Sequence, residues 1–422
     1  MSAKGVYIPK FVLVSFTVGV LGYYVVRFPL LPLSSETKLS LGYSRESLLN
    51  MTMRVAKHGF VAREYSVETK DGYVLGLQRI QTGGSVKGGK KVPVLLMHGL
   101  LQSAASWLDA GPGAGLAYLL AKDRDVWLGN VRGSHYSRRH TTLDPDSSST
   151  YWQFSVDEIG RYDVPALIEK VLNETGSETL TYIGFSQGAG TYFIMCSELP
   201  HYCEKANLMI ALAPAARQTN TKSVLYRFLT ESMTYLEGVL TSLGVQEVFS
   251  KGALSQEFLA FFCQLSSLST KICEMGKDLL DSLDSLHPGS ITNDTIRTLF
   301  SNFPAGTSVH NLARYGQSMK SEYFQKFDYG QQKNLVLYGS EEPPKYNLSA
   351  VTVPILAIYG RNDGLVDTKD VQWLLQRLPN VKESMEVKDP LWNHLDVTYS
   401  QYTGEMIFPK INEYLNKYDY AS

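Results

Sequence analysis

One pentapeptide constrains this chain more than any other feature, because it requires a sharp turn between a strand and a helix. Residues 184–188 read GFSQG and directly follow the apolar run 179–183. A helix-like stretch, residues 192–195, comes shortly after. This is the context of a G-x-S-x-G nucleophile elbow, whose turn leaves room only for glycine two positions before and after the serine. Ser186 is therefore the candidate nucleophile, with its hydroxyl at the top of a sheet.

A second apolar run supplies a candidate acid. In α/β-hydrolases the catalytic residues follow the chain order serine, then acid, then histidine. Residues 353–360 read VPILAIYG, which is typical of a buried parallel strand that ends at a glycine. Asp363 follows at the end where ligands bind in open α/β sheets. Asp367 is the nearby alternative, but its position further into the loop is more typical of a solvated or helix-capping residue.

Chain order also selects a histidine. The chain has eight histidines, and only His394 lies beyond the run at 353–360. It lies in the segment 391–396, which we interpret as a loop entering a final helix. A lone histidine is more often a surface or core residue, but the strand, the loop and the chain order together favour a catalytic His394.

The expected oxyanion hole consists of two backbone N–H groups. Acyl transfer needs such donors where the negative charge develops. One donor is expected from Gln187, the residue after the nucleophile, and the other from Leu100 in the loop after the apolar run 92–97. His98 precedes that loop and lies ahead of the serine, so we expect it to brace the loop rather than to act in catalysis.

Several further segments resemble the acid lipase family of α/β-hydrolases, which includes gastric lipase and lysosomal acid lipase. The resemblance runs from about residue 65 to about residue 415. Its matching segments are 71–75 (DGYVL), 98–103 (HGLLQS), 125–133 (DVWLGNVRG), 154–160 (FSVDEIG), 343–348 (PPKYNL) and 393–396 (NHLD). It implies a triad of Ser186, Asp363 and His394, with the oxyanion held by Leu100 and Gln187. The family usually has histidine where this chain has Phe185, which bears on local packing and acyl-chain preference but not on the triad.

The order of elements predicts an α/β fold. Apolar runs at 92–97, 125–128, 180–183, 208–212 and 353–359 alternate with helical stretches. This alternation predicts a mostly parallel sheet with helices on both faces. Residues 65–67 and 73–80 are predicted to form a hairpin around an Asp-Gly turn. Together with the resemblance, the expected architecture is an α/β-hydrolase fold with an inserted helical cap and lid.

Four regions are expected along the chain. Residues 1–35 form a signal, 36–217 the first part of the core, 218–340 the cap and lid, and 341–422 the second part of the core. Apolar residues show helical spacing at 225–243, 255–268 and 273–286 within the third region. Such stripes usually pack in a core, but the resemblance implies a helical cap over the active site.

The N-terminus carries a targeting pattern. Lys4 and Lys10 precede an apolar run over residues 11–26, which is typical of a secretory signal. The best cleavage neighbourhood is at Ser34 and Ser35. The run is short for a membrane span, which needs about 20 apolar residues, but a tilted, uncleaved signal anchor is the alternative. Either way the enzyme would face the lumen or the exterior, as a secreted or lysosomal protein.

Two further patterns agree with the secretory pathway. N-x-S/T sequons make four asparagines glycosylation candidates: Asn50, Asn173, Asn293 and Asn347. Four cysteines allow three pairings. Proximity in sequence favours Cys196–Cys203 and Cys263–Cys273, and the family resemblance supports the second pair. Four buried free thiols would fit a cytosolic protein better.

Composition excludes several other classes. The net charge is −1 and charged residues make up 19% of the chain, which does not suggest a nucleic acid or an acidic partner. The chain has no C-x-x-C pair and no H-E-x-x-H motif, so we expect neither a metal nor a cofactor. Residues 111–115 (GPGAG) lack the ending of a phosphate-binding loop and are predicted to be a turn before a helix at 116–121.

The sequence therefore predicts a serine lipase. We expect it to hydrolyse long-chain esters of neutral lipids, triacylglycerol or steryl ester, at a lipid–water interface and through an acyl-enzyme. No obligate protein partner is inferred from the sequence. Two alternatives use the same fold. A short-chain carboxylesterase is disfavoured by the large apolar insert, and a non-catalytic lipid-binding protein is disfavoured by the intact triad and oxyanion segments.

Overall fold

The central element of the described part of the chain is an eight-stranded sheet. The computed structural model describes residues 34–40, 43, 45–82, 91–250, 252–282, 284 and 286–419. The strands are β1 (Phe60–Glu68), β2 (Val74–Thr82), β3 (Val94–Met97), β4 (Val126–Gly129), β5 (Leu180–Phe185), β6 (Ala206–Leu212), β7 (Glu247–Val248), β8 (Thr307–Ser308), β9 (Ile355–Tyr359) and β10 (Val381–Glu386). The strand order in the eight-stranded sheet is β1-β2-β4-β3-β5-β6-β9-β10. The pairs β1–β2 and β2–β4 are antiparallel, and every later neighbouring pair in this order is parallel.

Helices fill most connections between the strands. They are α1 (Ser35–Ser40), α2 (Met51–Lys57), α3 (Leu116–Ala121), α4 (Val156–Glu158), α5 (Val164–Thr175), α6 (Gln187–Glu198), α7 (Pro200–Cys203), α8 (Val224–Ser242), α9 (Leu254–Phe262), α10 (Ser267–Asp281), α11 (Asn293–Asn302), α12 (Val309–Ser318), α13 (Gln331–Tyr338), α14 (Thr368–Leu375), α15 (Asp396–Tyr399), α16 (Thr403–Met406) and α17 (Phe408–Tyr418).

Two apolar clusters cover the two faces of the sheet. Successive side chains of a strand point to opposite faces. On β3, Leu95 and Met97 join one cluster, which includes residues of α5 and α6. Val94 and Leu96 join the other, which includes residues of α3 and α17. The predicted mostly parallel sheet with helices on both faces is therefore confirmed.

The carboxyl ends of the parallel strands meet at one edge of the sheet. Ser186 directly follows β5, Asp363 follows β9 and His394 follows β10. Leu100 follows β3 at the same edge. Parallel strands thus gather residues from four separate parts of the chain on one side of the molecule.

Between β6 and β9 the chain leaves the sheet and forms six described helices, α8 to α13, and a small ribbon. The ribbon pairs β7 with β8 antiparallel. Because β6 and β9 are hydrogen-bonded neighbours, the chain returns to the position next to the one it left. We call residues 218–340 the helical insert.

Some element boundaries differ from the prediction. The helix expected at 255–268 ends at Phe262, and the next helix starts at Ser267 rather than at residue 273. Ser266 and Ser269 form a capping box there, which starts a new helix. Strand β10 was not predicted, because its sequence VKESME is largely polar at the edge of the sheet. The predicted hairpin is formed by β1 and β2, with φ +93° at Gly72 in its turn.

Both disulfides favoured by sequence proximity are formed. Cys196 on α6 pairs with Cys203 on α7, and Cys263 after α9 pairs with Cys273 on α10. The sequon asparagines Asn50, Asn173, Asn293 and Asn347 all lie exposed on the surface.

The predicted targeting run at residues 11–26 lies outside the described residues. Within the described residues, no helix combines the length and the apolar character needed to cross a bilayer.

Candidate active site

Ser186 lies at a strained turn between β5 and α6. Its φ of +52° is unusual for any residue other than glycine. The backbone around it fixes this conformation, because its N–H donates to the Leu212 carbonyl (2.9 Å) and its carbonyl accepts from Gly190 (3.1 Å) and Ala215 (3.2 Å). Strain of this kind persists only where the surrounding structure enforces it, and it clusters at functional sites.

The two elbow glycines have no space for a side chain. A Cβ on Gly184 would lie 2.6 Å from the Ala189 nitrogen. A Cβ on Gly188 would lie 2.4 Å from the Met97 carbonyl oxygen at the end of β3. The close approach that the sequence motif predicts is therefore present on both sides of Ser186.

Asp363 and His394 form a buried pair. Asp363 Oδ2 lies 2.7 Å from His394 Nδ1. Asp363 Oδ1 accepts the N–H groups of Leu365 (2.9 Å) and Val366 (2.7 Å), which fixes the carboxylate. The alternative acid, Asp367, instead caps α14 by accepting the Lys369 N–H. The structure therefore brings Asp363, and not Asp367, to the histidine.

The charges around His394 favour its protonated form. Burial alone would lower the pKa of His394, but the neighbouring Asp363 carboxylate, its hydrogen bond and the Asp281 carboxylate together raise that pKa above its usual value. With Nδ1 bonded to Asp363, Nε2 is the ring nitrogen left to exchange a proton with a substrate or with a nucleophile.

Ser186 and His394 line one cavity of about 70 Å³, and residues of the helical insert form part of its wall. The insert contributes mainly apolar walls: Tyr226, Leu229, Leu280, Phe303 and Tyr315. Ser186 itself is 6% exposed. Pockets for drug-sized ligands usually measure about 300–1,000 Å³, so this cavity is too small for a long acyl chain in the conformation described.

Both predicted oxyanion donors have N–H groups free of backbone acceptors in the described part of the chain. Gln187 is the first residue of α6, so its N–H has no acceptor within the helix. In the other loop, the Gly99 N–H is taken by Gln102 Oε1 at 2.9 Å. Leu100 comes next and lines the cavity together with Ser186.

His98 has the structural environment expected of a bracing residue. Its Nε2 accepts the Val131 N–H at 3.3 Å, so Nδ1 donates to the Gly99 carbonyl at 2.8 Å. Burial lowers the pKa of His98 to about 4, so its ring stays neutral. It holds the loop that carries Leu100 against the end of β4.

Asp281 is a site residue that the sequence did not indicate. It ends α10 in the helical insert, and its carboxylate accepts the N–H groups of Gly364 (2.6 Å) and His394 (2.8 Å). No short motif marks this aspartate, because its partners are far away in the chain. Within the described residues, no group of three or more His, Cys, Asp or Glu side chains is arranged to hold a metal ion.

Comparisons with known proteins agree with this geometry. The family model of the alpha/beta hydrolase fold matches residues 92–398, and one described as a partial alpha/beta-hydrolase lipase region matches residues 51–111. A solved structure of a lipase candidate from Sulfolobus solfataricus is 12% identical and superposes with a TM-score of 0.57 over 85% of this chain and 95% of that one. The protein is therefore an α/β-hydrolase.

The sequence relatives define the family more narrowly. Lipase 1 of Drosophila melanogaster is 36% identical, over 88% of this chain and 81% of that protein. Human gastric triacylglycerol lipase is 34% identical, over 87% and 91%. Human lysosomal acid lipase/cholesteryl ester hydrolase is also 34% identical, over 88% and 92%. The chain belongs to the acid lipase family, a family of carboxylic ester hydrolases, which confirms the resemblance found in its motifs.

Proposed function

We propose that this protein is a serine lipase that hydrolyses long-chain esters of neutral lipids, triacylglycerol or steryl ester, through an acyl-enzyme. One observation carries the proposal: His394, held by the buried Asp363 carboxylate at 2.7 Å, lines the same cavity as Ser186 at its strained elbow. Two human relatives, by their names, act on triacylglycerol and on cholesteryl esters, which supports this substrate class.

In the proposed reaction, His394 Nε2 takes the proton of the Ser186 hydroxyl as its oxygen attacks the ester carbonyl. Asp363 holds the imidazole in the required tautomer and stabilises the imidazolium that forms. The same His394 then gives the proton to the departing alcohol. Water, activated by the same imidazole, attacks the acyl-enzyme and releases the fatty acid.

The N–H groups of Leu100 and Gln187 would stabilise the tetrahedral oxyanion. They cost no reorganisation, because the elbow and the loop held by His98 already fix the backbone at both positions. Loss of one such donor typically costs about 3 kcal/mol of barrier.

The helical insert would serve as cap and lid, between core parts at 36–217 and 341–422. It walls the cavity, and it also carries apolar side chains on its outer surface, including Phe228 and Tyr235 of α8 and Leu268 and Met275 of α10. Exposed apolar surface of this kind fits a lipid–water interface. Such contact would favour movement of the insert away from Ser186.

We also propose that the protein resides in the secretory pathway, as a secreted or lysosomal enzyme, with residues 1–35 as its signal. Two disulfides fit an oxidising compartment. The four exposed sequon asparagines fit glycosylation there.

The test is ester hydrolysis by the purified glycoprotein on trioleoylglycerol, cholesteryl oleate and a short-chain ester, from acid to neutral pH. Ser186→Ala should lower hydrolysis of a long-chain ester by at least about 1,000-fold. The matched control is Ser177→Ala, because the Ser177 side chain is remote from the elbow on the loop after α5. The ratio of the two long-chain rates would identify the substrate class.

Other outcomes would select the alternatives. Activity on the short ester alone would make the protein a carboxylesterase. Absence of all hydrolysis, with a folded protein and no labelling of Ser186 by an organophosphonate ester, would favour a non-catalytic lipid-binding protein.

A further inference from the structure

A single carboxylate in the helical insert holds both loops of the Asp363–His394 pair. Asp281 Oδ1 accepts the N–H of Gly364, the residue after Asp363, at 2.6 Å. Asp281 Oδ2 accepts the backbone N–H of His394 at 2.8 Å. The loop that carries Asp363 (the acid loop) and the loop that carries His394 are therefore joined twice, once by the Asp363–His394 hydrogen bond and once through Asp281.

The insert holds Gly364 from its other side as well. The Gly364 carbonyl accepts the N–H groups of Lys222 (2.8 Å) and Ser223 (3.0 Å), which precede α8. Ser223 Oγ in turn donates to the Leu280 carbonyl near the end of α10 at 2.8 Å. The start of α8 and the end of α10 thus both contact the peptide that follows Asp363.

The packing at Gly364 is correspondingly tight. A Cβ at this position would lie 2.4 Å from the Asp281 carbonyl oxygen and 2.6 Å from the Ser282 Cβ. The end of α10 therefore packs directly against Gly364 and leaves no space there for a side chain.

Asp281 is not expected to stabilise the helix that it ends. Asp281 is the last residue of α10, where the helix dipole disfavours negative charge. It is also 1% exposed, so its charge is costly to bury. Burial, and then the neighbouring Asp363, raise the pKa of Asp281 above its usual range, although His394 and the two N–H donors oppose that rise. A residue that costs stability in this way is expected where it serves the site.

We propose that Asp281 is a positioning residue, which aligns His394 with Asp363 and makes that alignment depend on the docked position of the helical insert. This inference rests on the proposed serine lipase mechanism. Asp281 does not line the cavity, so it acts through the two loops and not on the substrate.

Asp281 would also act on His394 through its charge. Its carboxylate contributes to the raised pKa of His394, after the larger contribution of Asp363. The ionisable groups that face Asp281 from the core are Asp363 and His394. Over the pH range in which Asp281 is ionised, loss of its negative charge would therefore lower the pKa of His394 and keep its imidazole neutral, and able to accept a proton, at lower pH.

The test compares Asp281→Asn with Asp284→Asn, which makes the same chemical change at an exposed position three residues away. Turnover of a soluble ester is measured against pH, and active molecules are counted by phosphonate titration. An asparagine cannot accept both N–H groups, so we expect kcat to fall by about 10- to 100-fold with little change in KM. The acid limb of kcat/KM should move to lower pH by on the order of half a unit. A purely structural role would lower activity equally at every pH.

The outcomes separate this inference from the proposed function. If the unmodified protein shows no Ser186-dependent hydrolysis, the proposed function fails. If the unmodified protein is active and Asp281→Asn matches Asp284→Asn in kcat and in pH profile, the role of Asp281 is overturned. Asp281→Glu keeps the charge but displaces it, so kcat should fall with the acid limb unmoved. Unchanged kcat in that variant, or failure of both Asp281 variants to fold, would also overturn the positioning role.

Discussion

Phe185 places a hydrocarbon ring directly against the imidazole of His394. The two ring centroids lie 4.8 Å apart, and Phe185 is fully buried beside the cavity. A Cβ on Gly99 would already lie 3.1 Å from this ring, so the loop before Leu100 packs against it as well. Phe185 thus shields one face of the histidine from water and forms part of the cavity wall.

The elbow gives a sharp prediction at Gly188. Gly188→Ala would push a methyl group against the Met97 carbonyl, which a Cβ would approach to 2.4 Å. We expect the free energy of unfolding to fall by about 1–3 kcal/mol. We also expect kcat to fall by more than about tenfold, because a small displacement of the elbow misplaces Ser186. Chemical denaturation and ester turnover measure the two effects.

Gly113→Ala is the control for this prediction. Gly113 is exposed, and a Cβ at this position would have no neighbouring atom within 4 Å, so both quantities should stay near their original values. Equal behaviour of the two variants would contradict the close contact described at Gly188.

Some residues of the site could be predicted from the sequence, and others could not. The elbow glycines could be predicted because their constraint is local, within a five-residue turn. Asp363 could be proposed because it follows the predicted strand at 353–359, and His394 because it is the one histidine of the chain beyond that strand. Asp281 could not, because its partners lie 83 and 113 residues further along the chain and no spacing rule links them.

Two helical glycines of the insert should respond to alanine with opposite signs. Gly276 lies within α10, and a Cβ there has no neighbour within 4 Å. Gly276→Ala should therefore stabilise the protein by about 0.5–1 kcal/mol. Gly316 lies within α12, where a Cβ would be 2.2 Å from Thr234 Oγ1 and 2.3 Å from the Thr230 carbonyl of α8. Gly316→Ala should destabilise it by about 1–3 kcal/mol. Urea unfolding measures both, and a shared sign would contradict the close contact of α8 and α12.

The ion pairs of His287 beside the loop before α15 should contribute more to the free energy of unfolding at acid pH than at neutral pH. His287 Nδ1 lies 2.8 Å from Asp396 Oδ2, and His287 Nε2 lies 3.1 Å from Asp389 Oδ2. One imidazole therefore contacts a carboxylate before His394 in the chain and another after it. The hydrogen bond to Asp396, and then the charges of Asp396 and Asp389, raise the pKa of His287, while burial and Lys277 oppose the rise. Because the folded pKa is above the unfolded value, this stabilisation is complete below about pH 6.5 and is lost as pH rises through the folded pKa.

His287→Gln should therefore lower the free energy of unfolding more at pH 5 than at pH 8. Urea denaturation at the two pH values measures the difference. His201→Gln, at an exposed position on α7, is the control and should show little effect at either pH. An equal loss at both pH values for His287→Gln would mean that the charged form of His287 contributes nothing.

Element boundaries were less predictable than element types. The central strands were found because each contains a short, largely apolar run of buried residues. Strand β10 was missed because an edge strand needs no apolar pattern, and its register comes from pairing with β9. In the insert, apolar spacing runs through the break between α9 and α10, so only the capping box at Ser266 marks where one helix ends and the next begins.

In the whole molecule Ser186 is nearly buried in a small cavity beside the helical insert, which predicts that lipid interfaces change access to it. A phosphonate with a long alkyl chain should label Ser186 slowly in water, because the cavity of about 70 Å³ cannot admit the chain. Micelles or lipid vesicles should accelerate labelling at least tenfold by stabilising the exposed apolar side chains of α8 and α10. Mass spectrometry of the labelled peptide gives the rate.

A compact methylphosphonate ester is the matched probe, and it should respond much less to vesicles. If both probes label equally fast with and without vesicles, the insert does not limit access to Ser186, and the proposed lid function would be wrong.

The connection between β6 and β9 constrains which other segments could replace the helical insert. Adjacent, hydrogen-bonded strands form its two ends, so a different insert could be spliced between them without breaking the sheet. Yet any replacement would have to bring its own acceptor for the Gly364 and His394 N–H groups that Asp281 now holds. A replacement insert chosen only for a new substrate would leave the sheet intact but would lose the proposed alignment of His394. In such chimeras, a change of substrate selectivity should therefore be accompanied by a loss of turnover unless the new insert supplies that acceptor.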